Sequence, residues 1–275
     1  MAVYTQIGAE DMAALIAEFG VGELVSAKGI AEGVSNSNTI HDRAGALYRM
    51  RGDKALALIE FLPGVSVSDP TPAQARAVGK ALAQLHIAAA DFPGTRANGM
   101  GLGEWQRLFG ACGPDGLAAI DPALAAIVAD HLPGIAVAWP TDLPRSVIHA
   151  DLFPDNVLML GDKVTGLIDF YFACNDLMAY DVAVTHAAWC FDASGRAFRE
   201  DLSAALLEGY ESLRPLLPEE RAALPLLAQG AALRFTSTRA YDWLNTPADA
   251  LVMRKDPMAF ARRLQFYAAN PQVFA

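Results

Sequence analysis

A chain of 275 residues with a formal net charge of −10 is a poor candidate for nucleic acid or an anionic membrane surface, which both favour a basic face. Its 53% hydrophobic and 19% charged composition is globular, and the length suffices to bury a substantial core in one large domain or two lobes. The three cysteines Cys112, Cys174 and Cys190 lack any CxxC spacing, which argues against a disulfide framework or zinc site, and the absence of a leader or long apolar run predicts a cytoplasmic protein.

In chain order, residues 11–20 predict a short helix stopped by Gly20. From 23 to 62 the pattern breaks into short apolar pieces, of which ALYRM and KALALIEFL read as strands flanking an Arg51-Gly52-Asp53 turn. Pro63-Gly64 ends this region and sets the expected boundary between a small β-rich lobe, 1–62, and a larger lobe, 63–275. Asp69-Pro70-Thr71-Pro72 then starts a helix whose Val78, Leu82 and Leu85 form one buried face. Further helices are predicted over 103–109, 122–139, 177–191, 198–213, 219–243 and 254–267. The exception is 146–172, where SVIHAD, NVLML and VTGLIDF read as short strands joined by turns.

The chemistry concentrates in those turns. HADLFPDN places His149, Asp151 and Asn156 in one loop, and GLIDF brings Asp169 at the end of the next strand pair. Phosphoryl transfer needs one carboxylate to orient and deprotonate a hydroxyl, plus an amide and a second carboxylate to hold Mg²⁺ against nucleotide phosphates. Asp151 and Asn156 fit the catalytic-loop pattern H-x-D-x-x-x-x-N, and Asp169 sits where the metal-binding Asp of D-F-G falls, although Tyr171 replaces the glycine. An iron triad of His149, Asp151 and His186 is disfavoured because His186 lies in a predicted helix. His41, His86 and His131 read as surface or packing residues. Arg234, Thr238, Tyr241 and Asp242 share one helix face; with Arg239, and with Asn175 and Asp176 beyond the metal loop, they are candidates for an amino-acid substrate, whose carboxylate needs a cation and whose ammonium needs an acid.

HADLFPDN, GLIDFYFACNDLMAYDVA and AAWCF resemble the type II homoserine kinases of the aminoglycoside/choline kinase superfamily, and the likeness extends to GIAEGVSNSN, AVGKALAQLH and ALRFTSTRAYDWLN. It implies an α+β, bilobal, protein-kinase-like fold and an ATP-dependent phosphotransferase acting on the hydroxyl of a small amino acid, L-homoserine, in threonine biosynthesis. It further implies Asp151 as base, Asn156 and Asp169 as Mg²⁺ ligands, His149 as support for the loop, and Asp181 as the residue that holds it. GIAEGVSNSN becomes the phosphate-covering hairpin, with Gly33 allowing close backbone approach and Ser35 and Asn36 offering polar groups. The segment Glu60 to Leu62 becomes the adenine-facing link between the lobes.

One departure stands out. A kinase-type small lobe carries a third strand with a phosphate-binding lysine, then a helix with its glutamate partner. Only 21 residues separate Asn38 from Glu60, and those elements with their neighbours need roughly forty. The segment is expected to be missing and ATP affinity to be altered. Two alternatives follow: a related kinase for an aminoglycoside, choline or another alcohol, and an inactive pseudokinase-like binding protein.

Overall fold

Helix α1 (Ala9–Phe19) carries Glu10 and Asp11 in its first turn, where carboxylates oppose the positive end of the helix dipole, and Gly20 follows it at φ +69°. In the computed structural model, which describes residues 9–21, 39–40, 42–46, 48–52, 54–56, 58–59, 62–247 and 254–275, it buries Leu15 and Phe19. Strand β1 (Thr39–Ile40) pairs antiparallel with β4 (Leu58–Ile59), and β2 (Arg49–Arg51) with β3 (Lys54–Leu56) across Gly52, whose φ is +62°. The expected hairpin about the Arg-Gly-Asp turn is therefore present. The stretch predicted as one strand instead supplies two described pieces with different partners. Asp42 braces this region: its carboxylate accepts the Ala44 and Ala46 amides at 2.8 and 2.7 Å and pairs with Arg49. The Arg43 amide, in turn, donates to the Glu18 carbonyl of α1.

The linker beyond Leu62 is stitched to the larger part. Val65 and Met159 exchange backbone hydrogen bonds of 3.0 Å, and the Thr165 hydroxyl donates to the Pro63 carbonyl. Gly64 has φ +142°, and a Cβ there would fall 2.6 Å from the Thr165 hydroxyl, so the backbone approaches too closely for a side chain. Thr71 and Gln74 then form a reciprocal capping box that starts α2 (Pro72–Ala88), with Pro72 in the first turn.

The remaining helices are α3 (Leu102–Ile120), α4 (Leu124–Ala138), α5 (Met178–Trp189), α6 (Glu200–Glu211), α7 (Pro218–Asn245) and α8 (Met258–Ala269). Helix α3 continues well past the predicted end at 109, through a kink where Gly113 has φ +67° before Pro114. Helix α5 is buried on every side from Ala179 to Trp189, as a helix without a polar face must be, and α2, α6 and α7 pack around it. Two antiparallel pairs complete the large part: β5 (Arg145–Ile148) with β8 (Cys174–Leu177), and β6 (Val157–Leu160) with β7 (Lys163–Leu167). Strand β8 is absent from the sequence reading, because CNDL holds two polar turn formers and shows no β pattern of its own. No described helix is long and apolar enough to cross a membrane.

Candidate active site

Strand β5 ends at Ile148, and the chain turns at once into His149 and Ala150, the latter at φ +62°. A non-glycine residue in the left-handed region is costly and persists only where its surroundings impose it. Here Asp181 does so from inside α5. Its two carboxylate oxygens accept the His149 and Ala150 amides, each at 2.7 Å. His86 of α2 reaches the same carboxylate with Nε2 at 3.1 Å, while its Nδ1 lies 2.8 Å from the Tyr210 hydroxyl of α6. Burial acts to raise the Asp181 pKa, but the bonds from His86 and the His149 amide outweigh it and hold the group below its ordinary value. A further hydrogen bond of 2.9 Å runs from the Trp189 indole to the Leu152 carbonyl.

His149 is fully buried and turned inward. Its Nδ1 accepts the Asp151 amide at 3.3 Å, which leaves Nε2 to donate to the Ile168 carbonyl at 2.9 Å. The ring also packs against Phe170 at 4.6 Å. One side chain thus ties the residue before Asp169 to the loop carrying Asp151. A second link fixes the spacing, since the Ile168 amide donates to the Asn156 carbonyl at 3.0 Å. Asp169 itself has φ +62°, which a short-chain carboxylate tolerates better than most residues.

Asp151 keeps 18% of its side chain exposed. Burial pushes its pKa above the ordinary carboxylate value, against the opposing charge of Arg234. The Asn156 amide nitrogen donates to the Asp151 carbonyl at 2.8 Å, so its oxygen is left as the acceptor. Asn156 and Asp169, which flank the paired strands β6 and β7, offer one oxygen donor each. That is a fitting set for Mg²⁺, which keeps several waters and phosphate oxygens and takes only one or two protein ligands. Among the described residues no group of three or more His, Cys, Asp or Glu is placed to hold a metal, which disposes of the iron triad. His186 lies in α5, buried against the Tyr267 and Ser203 hydroxyls at 2.7 and 2.8 Å.

The remaining candidates divide. Asn175 and Asp176 lie on β8 with their side chains occupied: Asn175 accepts the Arg96 amide at 2.7 Å, and Asp176 accepts from Asn98 at 2.7 Å and pairs with Arg145 at 3.0 Å. They brace the loop before α3. Arg234 is 2% exposed, donates to the Ala150 carbonyl and approaches Asp151. Arg239 stacks over Phe260 at 4.5 Å and donates to the Asp256 carbonyl at 3.2 Å, and burial pushes its pKa down to about 10. Asp242 is exposed, so the shared helix face runs from interior to solvent rather than along one pocket. Leu62 packs beside Gly166 of β7, whereas Gly33, Ser35, Asn36 and Glu60 lie outside the described residues. The sequence reading passes over His86 as a contributor. Its place on the stripe of Val78 and Leu82 gives away burial, but not its partner ninety-five residues on.

Residues 8–216 match the phosphotransferase enzyme family. Homoserine kinase of Azorhizobium caulinodans is 45% identical over 312 aligned positions, covering 98% of this chain and 97% of that protein. The chain belongs to this family. Homoserine kinase of Gluconobacter oxydans is 42% identical, covering 99% of this chain and 100% of its own length. Both alignments are longer than the chain: 312 positions against 275 residues leave at least 37 without a counterpart here. The solved structure of a spectinomycin phosphotransferase has a TM-score of 0.59 at 16% identity, covering 89% of this chain and 79% of that one, and shares the protein-kinase-like fold.

Proposed function

We propose that the chain transfers the γ-phosphoryl group of ATP to the side-chain hydroxyl of L-homoserine. The observation that carries the reading is the clamp on the loop 149–156, which presents Asp151 beside two oxygen donors, Asn156 and Asp169. Asp151 orients the acceptor hydroxyl and takes its proton as the oxygen attacks phosphorus in line with the departing ADP oxygen. Mg²⁺ held by Asn156 and Asp169 would offset charge on the phosphate oxygens. His149 and Asp181 keep that loop in place. Arg239, close enough to Asp151 and Asp155 to feel their charge, is the cation proposed for the acceptor carboxylate.

In this reading residues 1–62 are the nucleotide-binding lobe, with Gly33, Ser35, Asn36, Glu60 and Leu62 at ATP, and 63–275 the catalytic and substrate lobe. The missing alignment positions support the third strand and its helix being absent between Asn38 and Glu60. The enzyme would work on soluble substrates in the cytoplasm, in keeping with three buried, unpaired cysteines. ADP release with ATP and Mg²⁺, with and without L-homoserine and against choline and an aminoglycoside, is the test. Release that depends on homoserine is expected; release driven only by another alcohol, or by none, would refute the acceptor.

A further inference from the structure

Arg234 sits in the middle of α7 with almost no surface exposed, and a buried guanidinium is retained only where its charge and its donors are used. Its donors are used unevenly. Nη1 donates to the Ala150 carbonyl, and Nη2 lies 3.9 Å from Asp151 Oδ1. Nε is buried without a hydrogen-bond partner. The flat faces are covered by Phe172 and Phe235, whose ring centres lie 5.2 and 4.6 Å from the guanidinium carbon. An arginine recruited simply to close a salt bridge would form a two-pronged contact near 2.8 Å. This one instead grips the backbone carbonyl immediately before the base and stands off from the carboxylate itself.

The grip falls on the strained residue of the loop. Ala150 at φ +62° has its amide held by Asp181 from α5 and its carbonyl held by Arg234 from α7. The peptide that joins Ala150 to Asp151 is therefore held by a helix other than the one that carries Asp181, and with it the direction in which the Asp151 side chain leaves the backbone. A second negative group nearby, Asp169, makes a compensating cation useful at this point. The aromatic cover and the near-complete burial leave no open face on which an acceptor carboxylate could dock, unlike Arg239, which retains partial exposure.

We propose that Arg234 is a positioning residue for the base: by pinning the Ala150 carbonyl and countering the charge of Asp151, it holds the carboxylate where the acceptor hydroxyl arrives. The proposal rests on the phosphotransfer reading above and adds to it that α7, and not only the loop and α5, sets the geometry of proton transfer.

The test compares wild type, R234M, R234K, D151N and D151N/R234M, with kcat and acceptor KM from ADP release. R234M is expected to lower kcat about 10- to 100-fold with acceptor KM changed less than about threefold, because orientation is lost and binding is not. R234K, which keeps the charge without the fork, should fall between them. In the D151N background R234M should cost less than about twofold, because its effect passes through Asp151. The proposal is overturned if R234M lowers the D151N rate by the same factor as the wild-type rate, if it leaves kcat unchanged, or if it mainly raises acceptor KM. Should R234M fail to fold, R234K and D151N/R234K give the same comparison. A wild type without homoserine-dependent release would refute the acceptor alone, and the same ratios would then be read on ATP hydrolysis to water.

Discussion

In the proposed reaction Asp151 acts through its proton-accepting oxygen, and replacing that oxygen while preserving shape isolates it. D151N is expected to lose about 10²- to 10⁴-fold in kcat while retaining nucleotide binding by calorimetry; near-native turnover would remove Asp151 from the role of base. R239M is expected to raise acceptor KM about tenfold or more with kcat little changed, since a carboxylate anchor contributes to binding rather than to the chemical step. At this scale the candidate site was partly legible. His149, Asp151, Asn156 and Asp169 could be picked out because loop connectivity alone brings them together within about twenty residues of chain. His86 and the true setting of Arg234 could not, because their partners, Asp181 and the Ala150 carbonyl, lie 95 and 84 residues away. Asn175 and Asp176 differ again: their polarity suggested substrate, and in the fold their side chains contact Arg96, Asn98 and Arg145.

Helices α2 and α6 cross where both present glycine. A Cβ on Gly79 would stand 2.0 Å from the Leu206 carbonyl oxygen, and one on Gly209 would stand 2.0 Å from that of Arg76. Because the obstacle is backbone, no rotamer change relieves it and the helices must separate. G79A is expected to destabilise the protein by roughly 2–3 kcal/mol in urea unfolding, despite the better helix propensity of alanine. The separation would also displace His86, which leaves α2 about two turns further on and bonds Asp181. The prediction therefore includes a fall in kcat beyond the loss of folded protein. In the sequence, glycine at these positions reads only as weak helix. Similarly, the sequence predicts a helix only over 103–109, whereas α3, packed against α7, continues through a kink at Gly113 to Ile120.

For the molecule as a whole, pH and nucleotide affinity give the sharpest expectations. Burial pushes the His186 pKa down to about 3 from an ordinary 6.5. Between those values the unfolded chain binds one more proton than the folded one, so this contribution to stability is full above pH 6.5 and declines as pH falls toward 3. Asp181 adds to the loss only below the ordinary carboxylate range, because its folded pKa is lowered. Urea unfolding followed from pH 7 to 4 should show a decline that starts near 6.5 and is flattened in H186Q; a flat wild-type profile would contradict it. For the nucleotide, ATP titration calorimetry with Mg²⁺ should give a weaker affinity than in a full-length relative such as the A. caulinodans enzyme, and equal affinity would mean that the short segment between Asn38 and Glu60 removes nothing needed for ATP.

By itself the sequence determined the candidate chemical equipment and the helical skeleton: two aspartates and an asparagine in adjacent turns, and apolar stripes of the right period. Those signals are local, carried by residues a few positions apart. Tertiary structure alone decided how the equipment is held. Ala150 adopts its left-handed backbone because Asp181 and Arg234 reach it from two different helices, and a strand as polar as CNDL exists because β5 offers it hydrogen bonds. Each of these depends on groups that meet only once the chain has packed, so no stretch of sequence contains them.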